Sequence, residues 1–266
     1  MSDSEDDGFA GDLFGAEPEE APEPEPTFEK YERESISSLL DQGTLNIKLV
    51  GTHPLWAHHL WNASKVFASL FDTTPRLVEN KTVLELGAGG ALPSLVAALN
   101  GASKVVVTDY PDKELIDNIQ YNVDHNIPNN STVIVDGYVW GTATDKLRGH
   151  LQKETFDVII LSDLVFNHSQ HHAMLKTCRE LLRPKTGRVY VFYTHHRPHL
   201  AHRDLEFFDI AARPINPEAD PEDRDALGYG FKVDHFMTEM VGVMFKEDSG
   251  DEKVRSTVHG WQLWLE

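Results

Sequence analysis

The sequence predicts an α/β fold: a doubly wound, mostly parallel sheet of seven strands that finishes in an antiparallel hairpin. Three observations lead there. Short apolar runs alternate with amphipathic stretches through the middle of the chain. Those runs lack polar alternation, as strands covered by helices on both faces do. The last two apolar runs, "MVGVMFKED" and "STVHGWQLWLE", have only the polar link "SGDEKVR" between them and no helix, so they are expected to pair with each other.

The elements follow in order. The first 25 residues carry ten Asp or Glu and no Lys or Arg, with Phe9, Leu13 and Phe14 among few apolar residues. Such a segment buries too little surface to offset chain entropy, so 1–26 is expected to be a disordered acidic tail. One domain is expected over 27–266, with a lead-in and helix over 27–80 and a core over 81–266. A short strand is expected at "LNIKLV". In "HPLWAHHLWNASKVFASLFD", Leu55, Leu60, Ala63, Phe67, Leu70 and Phe71 recur at helical spacing. "TVLELG" reads as a strand ending in glycine. "PSLVAALNG" reads as a helix, with Pro93 in the first turn and Gly101 at the stop. "KVVVTDY" is the second core strand. "KELIDNIQYNVDHN" is a helix with Leu115, Ile119 and Val123 on one face. "STVIVDGYVWG" and "FDVIILSDLVF" are the third and fourth strands. "HAMLKTCRELLRP" is a helix, and "GRVYVFYTHH" is the fifth strand.

Composition limits function. Formal net charge is −19, and −9 without the ten acids of the opening segment. Such a surface repels nucleic-acid phosphate and anionic membrane and suits a basic partner. A single cysteine, Cys178, excludes a disulfide framework and a Cys-based zinc site. No apolar run approaches the ~18 residues of a membrane span, and the opening is acidic where a signal peptide is basic. A cytoplasmic monomer with no metal is expected.

The turn Gly87-Ala88-Gly89-Gly90-Ala91-Leu92 follows a strand and opens a helix. A dinucleotide site wants a third glycine where Leu92 stands. No G-K-[ST] follows, which excludes a phosphate-cradling nucleotide loop of that type. S-adenosylmethionine has no phosphate, yet still needs a backbone that can approach closely. Glu85 ahead of the turn would favour its cationic part. Asp109, 22 residues after Gly87 at the end of the next strand, would accept both ribose hydroxyls. Glu85, the missing third glycine and the terminal hairpin together favour S-adenosylmethionine over a dinucleotide.

"VLELGAGGALPSL", "VVVTDYPD", "VWG" and "LSDLVFNHS" resemble the Rossmann-like, seven-β-strand class I protein-lysine methyltransferases that carry a D/E-x-x-Y/F motif after the fourth strand. "MSDSEDD", "HPLWAHHLWNA", "VTDYPD" and "DLVFNHSQH" resemble, more narrowly, the fungal elongation factor 1-alpha N-terminal and lysine methyltransferases. Some members of that group are also described as nicotinamide N-methyltransferases. The resemblance implies methylation of the N-terminal glycine and adjacent lysine of elongation factor 1-alpha, with a small-molecule N-methyltransferase as the alternative. It implies that Gly87, Ala88 and Gly89 lie under the methionine end and that Trp140 lies near the adenine. Ser162 would contact the cofactor, and Trp61, with Trp56 second, would close the pocket. The motif here ends in Phe166 rather than Tyr, so no hydroxyl is offered at that position.

The acceptor amine must be held in line with the methyl carbon and must have a free lone pair, although Lys and α-amines are mostly protonated near neutrality. "SDLVFNHSQHH" offers Asp163 to bind the ammonium, Phe166 to line a channel, Asn167 to orient the amine and His168 to take the proton. "FYTHHRPH" is a second polar cluster, in which Tyr193 or His196 would contribute to the acceptor pocket. His195 and His196 are adjacent, so they diverge on a strand and make a poor metal pair. Tyr229 and Trp261 are further candidates. Nucleic-acid methylation is disfavoured by charge, and "DLVF" lacks the N-P-P-Y pattern of amino-base methylases.

Overall fold

A computed structural model of the chain describes residues 25–34, 43–151, 155–218, 220 and 222–266. The expected acidic tail lies outside them, apart from its last two residues. The elements run β1 (Thr27–Glu32), β2 (Thr44–Leu49), α1 (Asn62–Thr73), β3 (Thr82–Leu86), α2 (Leu92–Leu99), β4 (Lys104–Asp109), α3 (Lys113–Asn126) and β5 (Val133–Gly137). There follow α4 (Asp145–Gly149), β6 (Val158–Ser162), α5 (His171–Leu181), β7 (Arg188–Thr194), α6 (Ala201–Ala212), β8 (Lys232–Met240), α7 (Glu252–Arg255) and β9 (Thr257–Trp264).

The main sheet has seven strands in the order β5-β4-β3-β6-β7-β9-β8. From β5 to β7 every pairing is parallel, and β9 runs antiparallel to both β7 and β8. Side chains alternate across each strand and divide the core into two layers. Val83, Val105, Val107 and Ile160 face a layer with Phe67 and Phe71 of α1, Leu95 of α2 and Ile119 of α3. Leu84, Leu86, Val106 and Ile159 face the other, with Met174, Leu175 and Cys178 of α5 and Phe207 of α6. Chain order reverses direction at β3, between β4 and β6. In open sheets of this kind ligands sit at the carboxyl ends of the strands beside that point.

A separate two-stranded ribbon, β1 with β2, covers the α1–α3 side. It is clamped by a buried ion pair: Arg33 donates to Asp72 Oδ1 through Nη2 (2.6 Å) and Nε (3.0 Å), and to Asn100 Oδ1 (2.8 Å). Among the described residues, no helix is long and apolar enough to cross a membrane.

Two expectations need correction. The terminal hairpin forms, but its first strand is β8, Lys232–Met240, and "MVGVMFKED" is the loop that leaves it. Within "SGDEKVR" the chain makes the short α7, capped by Asp251, which accepts from Lys253 N–H (2.8 Å). The helix expected from Leu55 begins only at Asn62. Upstream, Trp56 sits at φ 64° and its N–H donates to His53 O (3.0 Å), which bends the chain into an irregular loop. Pro54 and the stacked Trp56 and His58 rings, 5.9 Å apart, belong to that loop. The helical spacing there came from residues that serve a cavity instead.

Candidate functional site

A cavity of about 800 Å³ opens at the carboxyl ends of β3, β4 and β6. Its floor is the turn after β3. Gly87 and Gly89 take φ of 62° and 52°, values that favour glycine. A Cβ on Gly87 would lie 2.9 Å from both Leu164 Cδ2 and Trp140 Cζ2. Asp109, at the end of β4, holds the turn: Gly89 N–H donates to Oδ2 (2.8 Å) and Tyr110 N–H to Oδ1 (2.7 Å). Burial raises the Asp109 pKa, and the two backbone donors oppose that rise. Helix α3 has its own cap in Asp112, which accepts from Glu114 N–H (2.9 Å), so Asp109 is not needed for that.

The cavity wall brings together Trp56, Trp61, Gly87, Ala88, Gly89, Asp109, Trp140, Ser162, Asp163, Phe166 and Asn167. Trp140 lies three residues past the end of β5 rather than on it. The Ser162 hydroxyl is buried and has no hydrogen-bond partner among the described residues. Glu85 does not line the cavity. Strand alternation turns it onto the α2 face, where it is fully buried and its Oε2 accepts from Ser94 N–H (3.1 Å) in the first turn of that helix. Burial pushes its carboxyl up to about 8. An acid here caps a helix N-terminus, a role its place one turn below the glycines makes natural.

On the acceptor side, Asp163 takes φ 58°, in the left-handed region. Its N–H donates to Phe192 O (2.7 Å), and its Oδ1 accepts from Thr194 N–H (3.3 Å) and from His196 Nε2 (2.9 Å). Its Oδ2 is buried and has no partner among the described residues. His196 lines the cavity, edge-on to Trp61 at 4.8 Å and to Phe166 at 6.5 Å. Burial works against its charge, but Asp163, with Asp204 and Asp248, outweighs that and raises its pKa.

His168 does not line the cavity. Its Nε2 meets Asp204 Oδ1 at 2.7 Å, and His195 Nδ1 meets Asp204 Oδ2 at 2.6 Å. The adjacent His195 and His196 therefore turn to different carboxylates. Tyr193 is buried behind them, and Tyr229 meets His172 at 3.2 Å, away from the cavity. Trp261 stacks on Phe208 at 4.0 Å on the α6 side of the sheet.

Sequence reasoning missed the loop after β8. Phe245 and Asp248 line the cavity, and Phe245 packs against His59 at 5.0 Å and Trp61 at 6.1 Å. Asn62 Nδ2 donates to Gly242 O (3.0 Å), and Arg255 Nη1 donates to Phe245 O (2.8 Å). The signal was present: "MVGVMF" is apolar, but its Gly242, at φ 94°, breaks a strand. Leu55, Trp56, Tyr110 and Val139 also line the cavity and are exposed.

Residues 39–213 match a family described as lysine methyltransferase. The protein N-terminal and lysine N-methyltransferase EFM7 of Cryptococcus neoformans is 42% identical over 99% of this chain and 91% of its own length. The protein of the same name from Eremothecium gossypii is 43% identical over 98% of each chain. The chain belongs to the lysine methyltransferase family. Solved structures agree on the fold. One is P. horikoshii TYW2 in complex with MeSAdo, at TM-score 0.50 and 13% identity, covering 85% of this chain and 70% of that one. The T. thermophilus 16S rRNA methyltransferase RsmC, in complex with AdoMet and guanosine, has TM-score 0.50 and 15% identity, covering 91% and 51%.

Proposed function

We propose that this methyltransferase uses S-adenosylmethionine to methylate the N-terminal glycine and the adjacent lysine of elongation factor 1-alpha. The observation that carries the amine is Asp163 Oδ2, a buried carboxylate oxygen without a partner among the described residues on the wall of the cavity. A buried acceptor left unpaired costs about 1–3 kcal/mol, and an N–H of an ammonium or amine would remove that cost. In nicotinamide the reacting pyridine nitrogen has no N–H to give, so Oδ2 could be met there only by the carboxamide, away from the reacting atom. The names of the fungal relatives supply the N-terminal and lysine targets.

The wall residues fit S-adenosylmethionine. The turn has no room for a side chain at Gly87 between Leu164 and Trp140, so a ligand can lie against backbone. Both oxygens of Asp109 keep a lone pair after their backbone bonds, enough for two ribose hydroxyls. The Ser162 hydroxyl lacks a partner among the described residues, and Trp56, Trp61 and Trp140 offer aromatic faces. The bound group supplies a methyl on a sulfonium. The chain's own part is to hold the amine on Asp163, line its path with Phe166 and Asn167, and keep water out with Trp61 and Phe245. Glu85 supports the turn from below, and His168 supports the rim through Asp204.

The test is intact-mass spectrometry of unmethylated elongation factor 1-alpha after incubation with the protein and S-adenosylmethionine, followed by mapping of the N-terminal peptide. Methyl-sized gains on the first glycine or next lysine are expected, and the Asp109→Ala protein should give none. No gain, with transfer to nicotinamide in a parallel tube, would replace the protein substrate by the small molecule.

A further inference from the structure

Methylation of an amine faces a charge problem that the Asp163 site alone makes worse. A lone buried carboxylate stabilises the ammonium, which has no lone pair, and so raises the acceptor's pKa. The nitrogen must nevertheless be neutral when it reacts. What matters is the group that shares Asp163.

That group is His196. Its Nε2 meets Asp163 Oδ1 at 2.9 Å, on the oxygen that also accepts Thr194 N–H. Asp163 lines the cavity, and its Oδ2 is buried and left without a hydrogen-bond partner among the described residues. His196 Nδ1 makes no hydrogen bond among the described residues. The ring is edge-on to Trp61 at 4.8 Å and to Phe166 at 6.5 Å. The charged groups around it are Asp163 at the end of β6, Asp204 on α6, Asp248 on the loop after β8, and the neighbouring Arg197. Asp204 is engaged on both oxygens by His168 and His195.

We infer that His196 is a positioning residue that occupies one oxygen of Asp163 and, as a cation, neutralises it, so that the site takes its acceptor as a free amine rather than as an ammonium. The surrounding carboxylates raise the His196 pKa and so extend the cationic form toward neutral pH. With His196 charged, the Asp163–His196 pair is itself neutral, so an ammonium entering beside it gains less than it would beside Asp163 alone. The ammonium N–H bond then breaks more easily. Its proton leaves to solvent, the electron pair stays on nitrogen, and one remaining N–H donates to Oδ2. The same logic lowers the pKa of a lysine placed beside a second cation. As pH rises through the His196 pKa, the Asp163–His196 pair becomes net negative and holds ammonium more strongly, which does not react. This inference rests on the proposed methylation of an amine.

The test is His196→Gln, whose amide can still donate to Asp163 but carries no charge. A merely structural role would raise KM and lower kcat together, or weaken S-adenosylmethionine binding. The inference expects opposite effects for a peptide with a free N-terminal glycine. KM should fall several-fold, because ammonium now binds better. At pH ~7.5, kcat should fall about tenfold, and its pH profile should move up by about one unit. A second measurement does not depend on turnover. The His196 imidazole is titrated by NMR in the wild type and in Asp163→Asn, where the asparagine also tolerates a positive φ. Its pKa should fall by about one unit in the variant. An unchanged imidazole pKa, or a His196→Gln enzyme with unshifted pH profile and raised KM, overturns the inference. A wild type that leaves the peptide unmethylated would sink the substrate reading, while the imidazole titration would still decide this one.

Discussion

Replacing Asp163 by Asn separates charge from shape at the acceptor site. The backbone is undisturbed, because Asn tolerates the left-handed φ of 58° that Asp163 holds, where Ala would add strain. The amide oxygen keeps the place of Oδ1, accepting from Thr194 N–H and His196 Nε2. The amide NH2 then stands where Oδ2 was and presents donors to a donor. A hydrogen bond to a charged group contributes about 1.5–3 kcal/mol, so its loss from the transition state lowers kcat/KM about 10- to 150-fold. The assay is initial-rate methylation of an amine peptide, with S-adenosylmethionine affinity measured by calorimetry on the same preparation. Affinity for the methyl donor should stay within about twofold, since among the described residues the hydrogen bonds of the Asp163 carboxylate go to Thr194 and His196 and not to Asp109 or the glycine turn. A kcat/KM within about threefold of wild type would refute the assignment of Oδ2 to the amine. A parallel loss of donor binding would refute the division of the cavity into donor and acceptor halves.

Gly87→Ala forces a Cβ to 2.9 Å from Leu164 and Trp140 at φ 62°. About 1–2 kcal/mol of left-handed strain is expected as a lower melting temperature, with donor affinity down at least about tenfold by calorimetry. Glu85→Gln keeps an acceptor for Ser94 N–H but removes the titration. The folded Glu85 pKa, about 8, lies above its ordinary 4.5. The native state therefore binds the extra proton, and the Glu85 contribution to stability is full below pH 4.5 and is lost as pH rises to about 8. The variant should escape a decline of a few kcal/mol, read from melting temperatures between about pH 5 and 9, and an equal slope in both proteins would count against a buried, titrating Glu85. Arg33→Met leaves the buried Asp72 carboxylate without its cation and should cost about 3–5 kcal/mol in urea unfolding, against under about 1 kcal/mol for Lys65→Met at the exposed pair with Glu29.

The sheet was legible because buried parallel strands and their helices write a strong pattern, and the glycine turn because its positive φ values admit few residue types. Asp109 and Asp163 were legible as acids at strand ends beside the point where chain order reverses. The two loops over the cavity were not. Around Trp56, Leu55 and Leu60 happened to fall at the spacing that Ala63, Phe67 and Phe71 continue in the helix proper. Around Phe245 the apolar run reads as a strand, whereas Phe245 packs against His59 and Trp61 at the cavity wall. Which histidine meets the acceptor carboxylate was hidden for another reason. It depends on Asp204, on a helix some 36 residues beyond His168, which captures both His168 and His195 and leaves His196 for Asp163. Glu85 illustrates the converse. Its neighbours Val83 and Leu84 already divide between the two core layers, so alternation alone would have turned it away from the ligand and onto α2.

Backbone strain gathers at the same place. Trp56, Ala91 and Asp163 are non-glycine residues at positive φ, and all three line the cavity together with Gly87 and Gly89. Each such residue costs on the order of 1 kcal/mol and persists only where its surroundings over-determine it. For Asp163 the surroundings are on β7. Its N–H is tied to Phe192 O at 2.7 Å, while its side chain reaches Thr194 N–H and His196 beyond the same strand's end. An extended Asp163 would continue β6 and carry its carboxylate away from β7. The left-handed turn sends it sideways, so one oxygen is spent on β7 and the other remains for a ligand. Strain, orphaned oxygen and shared histidine are thus one arrangement. Relaxing the φ of Asp163 would disconnect His196 from the acceptor even if both side chains were kept.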